Sequence, residues 1–149
     1  MGFWDMMSIS ASALAAERQR AEVTSANLAN AETTHVDGSD GPYVRKEVVF
    51  SASNASPFQT IFNRAGHFGQ PAGSVQLTDV VNDNAPPVMR YEPGNPDANK
   101  DGYVAYPNIN PVTEMVDLMD ATRAYQLNAS AITSAKQMVQ ESISILKTT

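Results

Sequence analysis

The chain has 149 residues, of which 42% are hydrophobic and 7% aromatic, enough for one compact domain or for a small domain with helical arms. Its net charge of −6 argues against nucleic acid as a partner, and the absence of cysteine excludes disulfides, thiolate zinc sites and thiol catalysis. No run approaches the roughly 18 apolar residues of a membrane-spanning helix.

The amino terminus partly matches two targeting signals. Met6 stands where a myristoylation signal has serine or threonine. The weakly apolar stretch 6–16 has no preceding lysine or arginine, which a cleaved signal peptide would carry. We therefore expect that, if the chain leaves the cytoplasm, it does so by a route that does not remove its head.

The first predicted element is a helix over Asp5–Asn30, about 39 Å long. Its narrow apolar stripe has a residue every seven positions, flanked by small side chains, and consists of Met7, Leu14, Ala21 and Leu28. Because isolated helices gain most of their stability from packing, this helix needs a partner, and the carboxyl-terminal helix, run antiparallel, is the natural one.

Two asparagines near the end of this helix allow two interpretations. Asn27 and Asn30 either lie at a helix interface, where a buried and hydrogen-bonded amide fixes the register, or end the helix and enter a turn. Both alternatives stay open at this point.

The centre of the chain holds the helix breakers. Seven of eight glycines and eight of nine prolines lie between residues 37 and 110, and none lies in 3–36 or 112–149. We predict a small, irregular β-rich insert of three to five short strands. The strand candidates are Val44–Phe50, Phe58–Phe62, Val75–Val81 and Val88–Tyr91, with turns at 40–42, 66–73, 86–87 and 93–94.

The last predicted element is a helix over Pro111–Lys147, about 55 Å long, with Asn110 as its N-cap. One apolar seam comprises Leu118, Tyr125, Ile132, Val139 and Leu146; the second comprises Met115, Thr122, Ala129, Lys136 and Ile143. This heptad spacing favours a coiled coil, the alternative being one amphipathic helix on a globular core, and places Asn128 near a helix interface. A longer helix that overhangs the shorter one would expose an apolar stripe to another chain.

The predicted fold is therefore α+β, with long terminal helices that pair as an antiparallel coiled coil and flank the insert. The parts are an amino-terminal arm, 1–31, an insert, 32–110, and a carboxyl-terminal arm, 111–149. The insert carries a charge of −4 and each arm carries −1, which suits an insert that faces water and arms that pack together.

Two candidate metal sites fail on their spacing. Residues 97–102 spell D-A-N-K-D-G, the start of an EF-hand loop, but Asn108 takes the place of its bidentate glutamate and prolines block the flanking helices. A cluster of Asx turns is the better interpretation. His35 and His67 have no partner at ligand spacing. We expect no metal, cofactor, catalytic residue or small-molecule substrate, and hence no enzyme.

Five stretches resemble the bacterial flagellar rod and hook proteins, a family of axial proteins. Residues 24–34 are similar to the family's S-x-N-L-A-N-x-x-T signature. Residues 41–50, G-P-Y-V-R-K-E-V-V-F, and 91–108, with G-Y-V-A-Y-P-N, resemble its proximal rod member, as do E-M-V-D-L-M at 114–119 and A-T-R-A-Y-Q at 121–126. Asn95 and Glu92 depart from the usual histidine and aspartate, and residues 51–87 match poorly.

The resemblance implies a structural subunit of the proximal rod, which assembles by helix–helix packing into a tube that transmits torque across the periplasm. It implies export through the flagellar type III apparatus without a cleaved signal, with Phe3 and Met7 as a candidate export motif or simply the start of the apolar stripe. Partners would be copies of itself and other rod proteins, with the inner-membrane ring and the export gate as further candidates. The assembly interface would comprise Met7, Leu14, Ala21, Asn27, Leu28, Asn30, Met115, Leu118, Tyr125, Asn128, Ile132, Val139 and Leu146.

Three alternatives belong beside this hypothesis. Another rod or hook protein is favoured if the G-Y-V-A-Y-P-N block is shared across the class. A calcium-binding module would need the loop at 97–102. A membrane-active amphipathic protein would need basic polar faces, whereas both arms are slightly acidic.

Overall fold

The structure, a computed structural model, describes residues 3–36, 38, 41–53 and 74–147. The elements are α1 (Phe3–Ala29), β1 (Lys46–Ser53), β2 (Ser74–Asn82), β3 (Val88–Tyr91), β4 (Tyr103–Tyr106) and α2 (Pro111–Lys147). Two helices therefore flank a small β-rich region, and the α+β class is confirmed. The predicted strand Phe58–Phe62, the turn at 66–73 and His67 lie outside the described residues.

The two helices are the largest elements. α1 has 27 residues and α2 has 37, which correspond to about 40 Å and 55 Å. The predicted bounds of α2 are confirmed, and the Oδ1 atom of Asn110 caps the helix by accepting the N–H of Val112 at 3.0 Å. Within the described ranges, neither helix is long and apolar enough to cross a membrane.

α1 ends in a hydrogen-bonded turn built on Asn30. The backbone N–H of Asn30 donates to the carbonyl of Ala26 at 3.1 Å, and its side-chain Nδ2 donates to the same carbonyl at 2.8 Å. Its Oδ1 accepts the hydroxyl of Thr33 at 3.2 Å. For Asn30, the structure thus favours the interpretation in which the residue ends the helix.

The strands form two small sheets, β1 with β2 and β3 with β4. β3 and β4 are antiparallel, with Val88 opposite Tyr106 and Tyr91 opposite Tyr103. The predictions of β2 and β3 are confirmed, whereas β1 begins two residues later than Val44 and extends to Ser53. The sequence did not predict β4, because its four residues directly follow a turn-rich stretch.

Asn99 and Gly102 shape the turn between β3 and β4. The Oδ1 atom of Asn99 accepts the N–H groups of Asp101 and Tyr103, both at 2.9 Å, so the predicted Asx turn is confirmed. Gly102 has a φ of +79°, and a Cβ there would lie 2.9 Å from Cε2 of Tyr91. Glycine is therefore required both for the backbone conformation and for the space.

The chain divides into two compact units. Unit 1 comprises Met1–Gln19, Phe50–Thr78 and Ala121–Thr149, and unit 2 comprises Arg20–Val49 and Asp79–Asp120. The buried side chains of unit 1 include the small residues Ala16, Ala121 and Ala135. Those of unit 2 include Val104 and the polar residues Thr24, Asn27 and Glu114. The division into two arms and an insert stays a prediction.

Candidate functional site

The buried centre of unit 2 is polar and is organised by Asn27 in the last turn of α1. Its side chain is 1% exposed. Nδ2 donates to the carbonyl of Lys46 at 2.8 Å and to Oε2 of Glu114 at 3.2 Å. Oδ1 accepts the N–H of Lys46 at 2.9 Å and the hydroxyl of Tyr43 at 3.2 Å. Both donor hydrogens and both acceptor positions of the amide are therefore used.

This arrangement explains why the position holds asparagine. The amide pairs with both the N–H and the C=O of Lys46, as a neighbouring strand would, at the residue where β1 begins. An aspartate in its charged form lacks the donor, and an apolar residue would leave Lys46 and Glu114 with unsatisfied groups. Asn27 thus connects the end of α1 to the start of β1 and the first turns of α2.

Glu114 brings the second charge-bearing group to this centre. Its side chain is 2% exposed, and Oε1 accepts the Nε–H of Arg45 at 2.7 Å while Oε2 accepts from Asn27. Its place in the first turns of α2 also sets the carboxylate at the positive end of the helix dipole. We call Asn27, Tyr43, Arg45, Lys46 and Glu114 the Asn27 junction.

The guanidinium of Arg45 lies among three carboxylates at the junction's edge. It contacts Glu47 closely, and its Nη1 lies 3.8 Å from Oδ2 of Asp83. Desolvation lowers the pKa of the Arg45 guanidinium, but the hydrogen bonds to Glu114 and Glu47 outweigh it and raise that pKa above its ordinary value. The guanidinium therefore stays charged and compensates the buried Glu114.

Tyr43 is held in its neutral form. Burial, and then the negative charge of Glu114, raise the pKa of the Tyr43 phenol above its ordinary value. The hydroxyl therefore remains a donor to Asn27.

Two further contacts connect distant segments of unit 2. The hydroxyl of Thr34 donates to Oδ2 of Asp97 at 2.6 Å, which joins the segment after α1 to the turn before β4. Nη2 of Arg20 lies 3.7 Å from Oδ1 of Asp117, which joins α1 to α2. Since both partners of the ion pair are about one-third exposed, the pair adds little stability and mainly reports the position of the two helices.

A pocket next to the junction has a volume of about 210 Å³, below the roughly 300–1,000 Å³ of typical ligand sites. It is lined by Gly41, Pro42, Tyr43, Val44, Arg45, Asp83, Ala85, Pro87, Pro107 and Asn108. The polar side chains that line the pocket are Tyr43 and Arg45 of the junction and the nearby Asp83 and Asn108. Among the described residues, no cluster of three or more acidic or histidine side chains could hold a metal ion.

The structure separates the predicted interface residues into three groups by exposure. Asn27 is buried. The half-buried group is Met7, Leu14, Ala21, Leu28, Asn30, Leu118, Asn128, Ile132 and Val139. The exposed group is Met115, Tyr125 and Leu146. Phe3 is the first residue of α1, and the placement of its side chain lies outside what the structure describes.

The most buried line of α2 differs from the predicted second seam by one position. Glu114, Ala121 and Ala135 are buried, with half-buried Asn128 completing the seven-residue spacing. The predicted seam follows one residue later: Met115, Thr122, Lys136 and Ile143 are exposed, and only Ala129 is half-buried. The heptad spacing predicted that large side chains of this seam are buried, whereas the helix buries two alanines and a hydrogen-bonded glutamate.

Many large apolar side chains of α2 remain exposed in the free chain, although Leu118, Ile132 and Val139 are half-buried. We call the set Val112, Met115, Val116 and Met119 the head stripe, and it is 47% to 69% exposed. We call Met138, Ile145 and Leu146 the tail patch, and it is 58% to 78% exposed. Leu127 lies between them and is 72% exposed. Exposed apolar surface on this scale indicates an interaction site.

The sequence did not predict that Tyr43, Arg45 and Glu114 meet in one site. All three lie in stretches that carried the family resemblance, but spacing along the chain gives no sign that they meet. The sequence contained one clue to this contact. Glu114 stands in the first turns of a helix with an apolar face, and a carboxylate that is buried there needs a cation.

Comparison with known proteins matches both ends of the chain to flagellar families. Residues 7–34 match the family of flagella basal body rod proteins, and residues 100–145 match the carboxyl-terminal family of the flagellar basal body rod FlgEFG proteins. The second match includes the G-Y-V-A-Y-P-N block at residues 102–108. This block is therefore shared across rod proteins and does not by itself identify one of them.

Relatives that match along almost the full length of the chain identify the member of the family more specifically. The chain is 40% identical over 146 residues to the flagellar basal-body rod protein FlgC of Escherichia coli O6:H1, which covers 97% of this chain and 98% of that protein. It is 39% identical, with the same coverage, to FlgC of Salmonella typhimurium. It is 37% identical over 144 residues to FlgC of Bacillus subtilis, which covers 95% of this chain and 96% of that one.

Proposed function

The chain belongs to the FlgC family of flagellar basal-body rod proteins, and we propose that it assembles into the rod through its two terminal helices. It is a structural rod subunit, which removes the calcium-binding and membrane-active alternatives as main functions. The proposal adds that α1 and α2 pair as an antiparallel coiled coil and that the apolar side chains left exposed on α2 pack against neighbouring subunits.

Two contacts support the antiparallel direction. Asn27 of α1 meets Glu114 of α2, and Arg20, seven residues earlier in α1, meets Asp117, three residues later in α2. Earlier positions in α1 thus contact later positions in α2. This is the direction that an antiparallel pair requires.

The exposure of α2 carries the assembly part of the proposal. A free chain that leaves the head stripe, Leu127 and the tail patch in water has apolar area available for neighbours. Contacts between unlike surfaces of identical or related subunits generate open helical arrays, which is the form a rod needs.

Location and export follow the same proposal. A rod subunit would lie in the periplasm and would reach it through the flagellar type III apparatus with its amino terminus retained. Phe3 and Met7, in the first turns of α1, are the proposed export motif, and the inner-membrane ring and export gate are proposed neighbours beside the other rod proteins. No catalytic activity is proposed.

Complementation tests the proposal. The chain is produced in a flagellated bacterium that lacks its own FlgC, and basal bodies are purified and analysed by mass spectrometry and cryo-electron microscopy. We expect motility to return and the chain to appear in the rod with both helices on the tube wall. A chain that is produced and folded in its own host but is absent from that host's basal bodies would contradict the proposal.

A further inference from the structure

The sheet formed by β3 and β4 has an open edge along β3. The N–H of Glu92 donates to the carbonyl of Gly102 at 2.9 Å, which continues the β3–β4 register by one pair. Because hydrogen-bonded and non-hydrogen-bonded pairs alternate in an antiparallel ladder, the backbone N–H and C=O groups of Met89 and Tyr91 point away from β4. Within the part of the chain that the structure describes, no hydrogen bond reaches these groups. β3 therefore has free donors and acceptors for a further strand.

The outer edge of β4 is already occupied at its first residue. The N–H of Asn99 donates to the carbonyl of Tyr103 at 2.8 Å, and Oδ1 of Asn99 accepts the N–H of Tyr103 at 2.9 Å. Asn99 thus takes the place of a neighbouring strand there. An open strand edge is a template for pairing with another chain, so the difference between the two edges indicates that a strand is added beside β3.

An exposed face of aromatic and methionine side chains adjoins the open edge. Met89, Tyr91 and Tyr103 share this face, since side chains alternate along a strand, and they are 50%, 65% and 43% exposed. The rings of the two tyrosines contact edge to face, with their centroids 5.3 Å apart. Val104, on the opposite face, is buried. Tyrosine and methionine are enriched at protein interfaces, so this face is suited to apolar side chains of a partner.

Arg90 determines the charge at the middle of the open edge. Its side chain is exposed, and its guanidinium lies over the ring of Tyr106, 4.5 Å from the centroid. The carboxylates of Glu92 and Glu32 both act on the hydroxyl of Tyr106, and within the described ranges no carboxylate lies within ion-pair distance of Arg90. Side chains directly opposite each other on paired strands have Cβ atoms about 5 Å apart. An acidic residue opposite Arg90 is therefore favoured, and a basic one is repelled.

The charge and the area argue against a second copy of β3 as the added strand. The only antiparallel register that pairs both Met89 and Tyr91 places Arg90 opposite Arg90, and like charges directly opposite are destabilising. In the neighbouring registers one of these residues faces Pro87 or Pro93, which lacks an N–H. A strand of four residues also buries far less than the roughly 1,200 Å² of a stable interface. The partner must therefore be a neighbour that other contacts of an assembly already hold in place.

Taking the rod assembly proposed above as given, we propose that β3 binds an extended segment of a different protein of the basal body as a third strand. The backbone of this segment bonds to the N–H and C=O groups of Met89 and Tyr91, in the mode of β-strand addition. The two residues opposite Met89 and Tyr91 are apolar and lie on the exposed face. The residue between them lies opposite Arg90 and is acidic. The partner is thus recognised by an apolar–acidic–apolar alternation.

Photo-cross-linking in basal bodies tests this contact. A photoreactive benzoylphenylalanine is placed at Tyr91, cells are irradiated, basal bodies are purified, and mass spectrometry identifies the joined segment and the amount of chain present. Met89→Pro removes an N–H that β4 does not use, at an edge position where strands tolerate proline, and Met89→Leu is the matched control. Arg90→Glu and Arg90→Lys form a second pair, which decides the test if the proline variant unfolds. Circular dichroism of each free variant measures its folding.

We expect a cross-link to another protein, at a segment with the apolar–acidic–apolar alternation. Its yield per chain should fall about tenfold in Met89→Pro and Arg90→Glu and stay within about twofold in Met89→Leu and Arg90→Lys. Basal bodies that contain the chain but give no cross-link, a cross-link only to a second copy, or equal yields within each folded pair overturn the added strand and leave the proposed function intact. Absence of the unaltered chain from basal bodies overturns the proposed function, and the contact with it.

Discussion

Both ends of α2 carry exposed apolar side chains, but its first turns also bury a hydrogen-bonded carboxylate. In its first turns Glu114 is 2% exposed and bonded to Asn27 and Arg45, whereas in its last turn Leu146 is 78% exposed. A hydrogen-bonded polar group is thus inside, and a large apolar group is outside. The first turns of α2 are therefore held by directional contacts within the chain, and we propose that the exposed apolar side chains of this helix contact other chains.

The strongest challenge to this comparison is to remove the buried carboxylate. We expect Glu114→Ala to lower the free energy of unfolding by about 3 kcal/mol, because it leaves the Nε–H of Arg45 and one N–H of Asn27 without their buried acceptor. Urea unfolding followed by circular dichroism measures the change. Glu47→Ala removes an exposed partner of the same Arg45 and should cost less than about 1 kcal/mol; equal losses would show that the buried position of Glu114 is unimportant.

Replacing the amide tests the junction from the side of α1. Asn27→Ala should cost about 2 kcal/mol, since it leaves the N–H and C=O of Lys46 unpaired. Hydrogen exchange at the amide of Lys46 should accelerate in the variant. Asn30→Ala, which loses bonds at an exposed turn, is the control and should cost about 1 kcal/mol or less. A larger loss of unfolding free energy for Asn30→Ala than for Asn27→Ala would mean that Asn30, and not Asn27, is the more important amide for the stability of the chain.

Gly102 tests whether unit 2 also depends on backbone geometry. Gly102→Ala should cost about 1–2 kcal/mol, because alanine disfavours a φ of +79° and its Cβ would press on Tyr91. Gly94→Ala is a matched control, since a Cβ there meets nothing within 4 Å, and it should stay within about 0.5 kcal/mol of the unaltered chain. Thermal unfolding of both variants distinguishes them, and similar melting temperatures would contradict the prediction.

Tyr43 sharpens the comparison through pH. Because the pKa of its phenol is raised in the folded chain, its contribution is fully present below the unfolded pKa of about 10 and is lost as the pH rises through the folded pKa. Tyr43→Phe should cost about 1 kcal/mol at neutral pH. Urea midpoints of both proteins should converge above pH of about 10; a difference that stays constant with pH would argue against this role.

The exposed apolar side chains should show the smallest effect on the free chain. Leu127→Ser is expected to change the free energy of unfolding by no more than about 0.5 kcal/mol, because Leu127 is 72% exposed. The same variant should reduce the amount of chain found in basal bodies. A strongly destabilised free variant would mean that Leu127 contributes to the fold of the single chain.

Local signals predicted the helices well. Asn110 and Pro111 fix the start of α2, and the absence of glycine and proline allows 37 residues to continue as one helix. The strand β3 was found because the prolines at 86–87 and at 93 mark its bounds. β1 was misplaced by two residues at its start because its pairing with Asn27 at Lys46, a contact 19 positions apart, decides where the strand begins.

The junction could be predicted only in part. Asn27 was singled out with a buried amide as one of two open alternatives, but its four partner groups come from residues 43, 46 and 114, and a single sequence does not show which segments meet. The buried line of α2 was also displaced by one residue, because Ala121 and Ala135 give a weaker periodic signal than Met115 and Ile143 of the predicted seam. Small residues permit close approach, so Ala121 and Ala135 are buried although larger apolar side chains of the same helix are exposed.

Thiol labelling of Leu127→Cys tests most directly the claim that the apolar side chains of α2 are covered only after assembly. The labelling rate is measured in the free chain, in basal bodies and in urea-unfolded chain, which gives the rate of a fully accessible thiol. The account predicts a rate in the free chain close to the unfolded one and a rate in basal bodies that is about a hundredfold lower. Equal rates in the free chain and in basal bodies would contradict it.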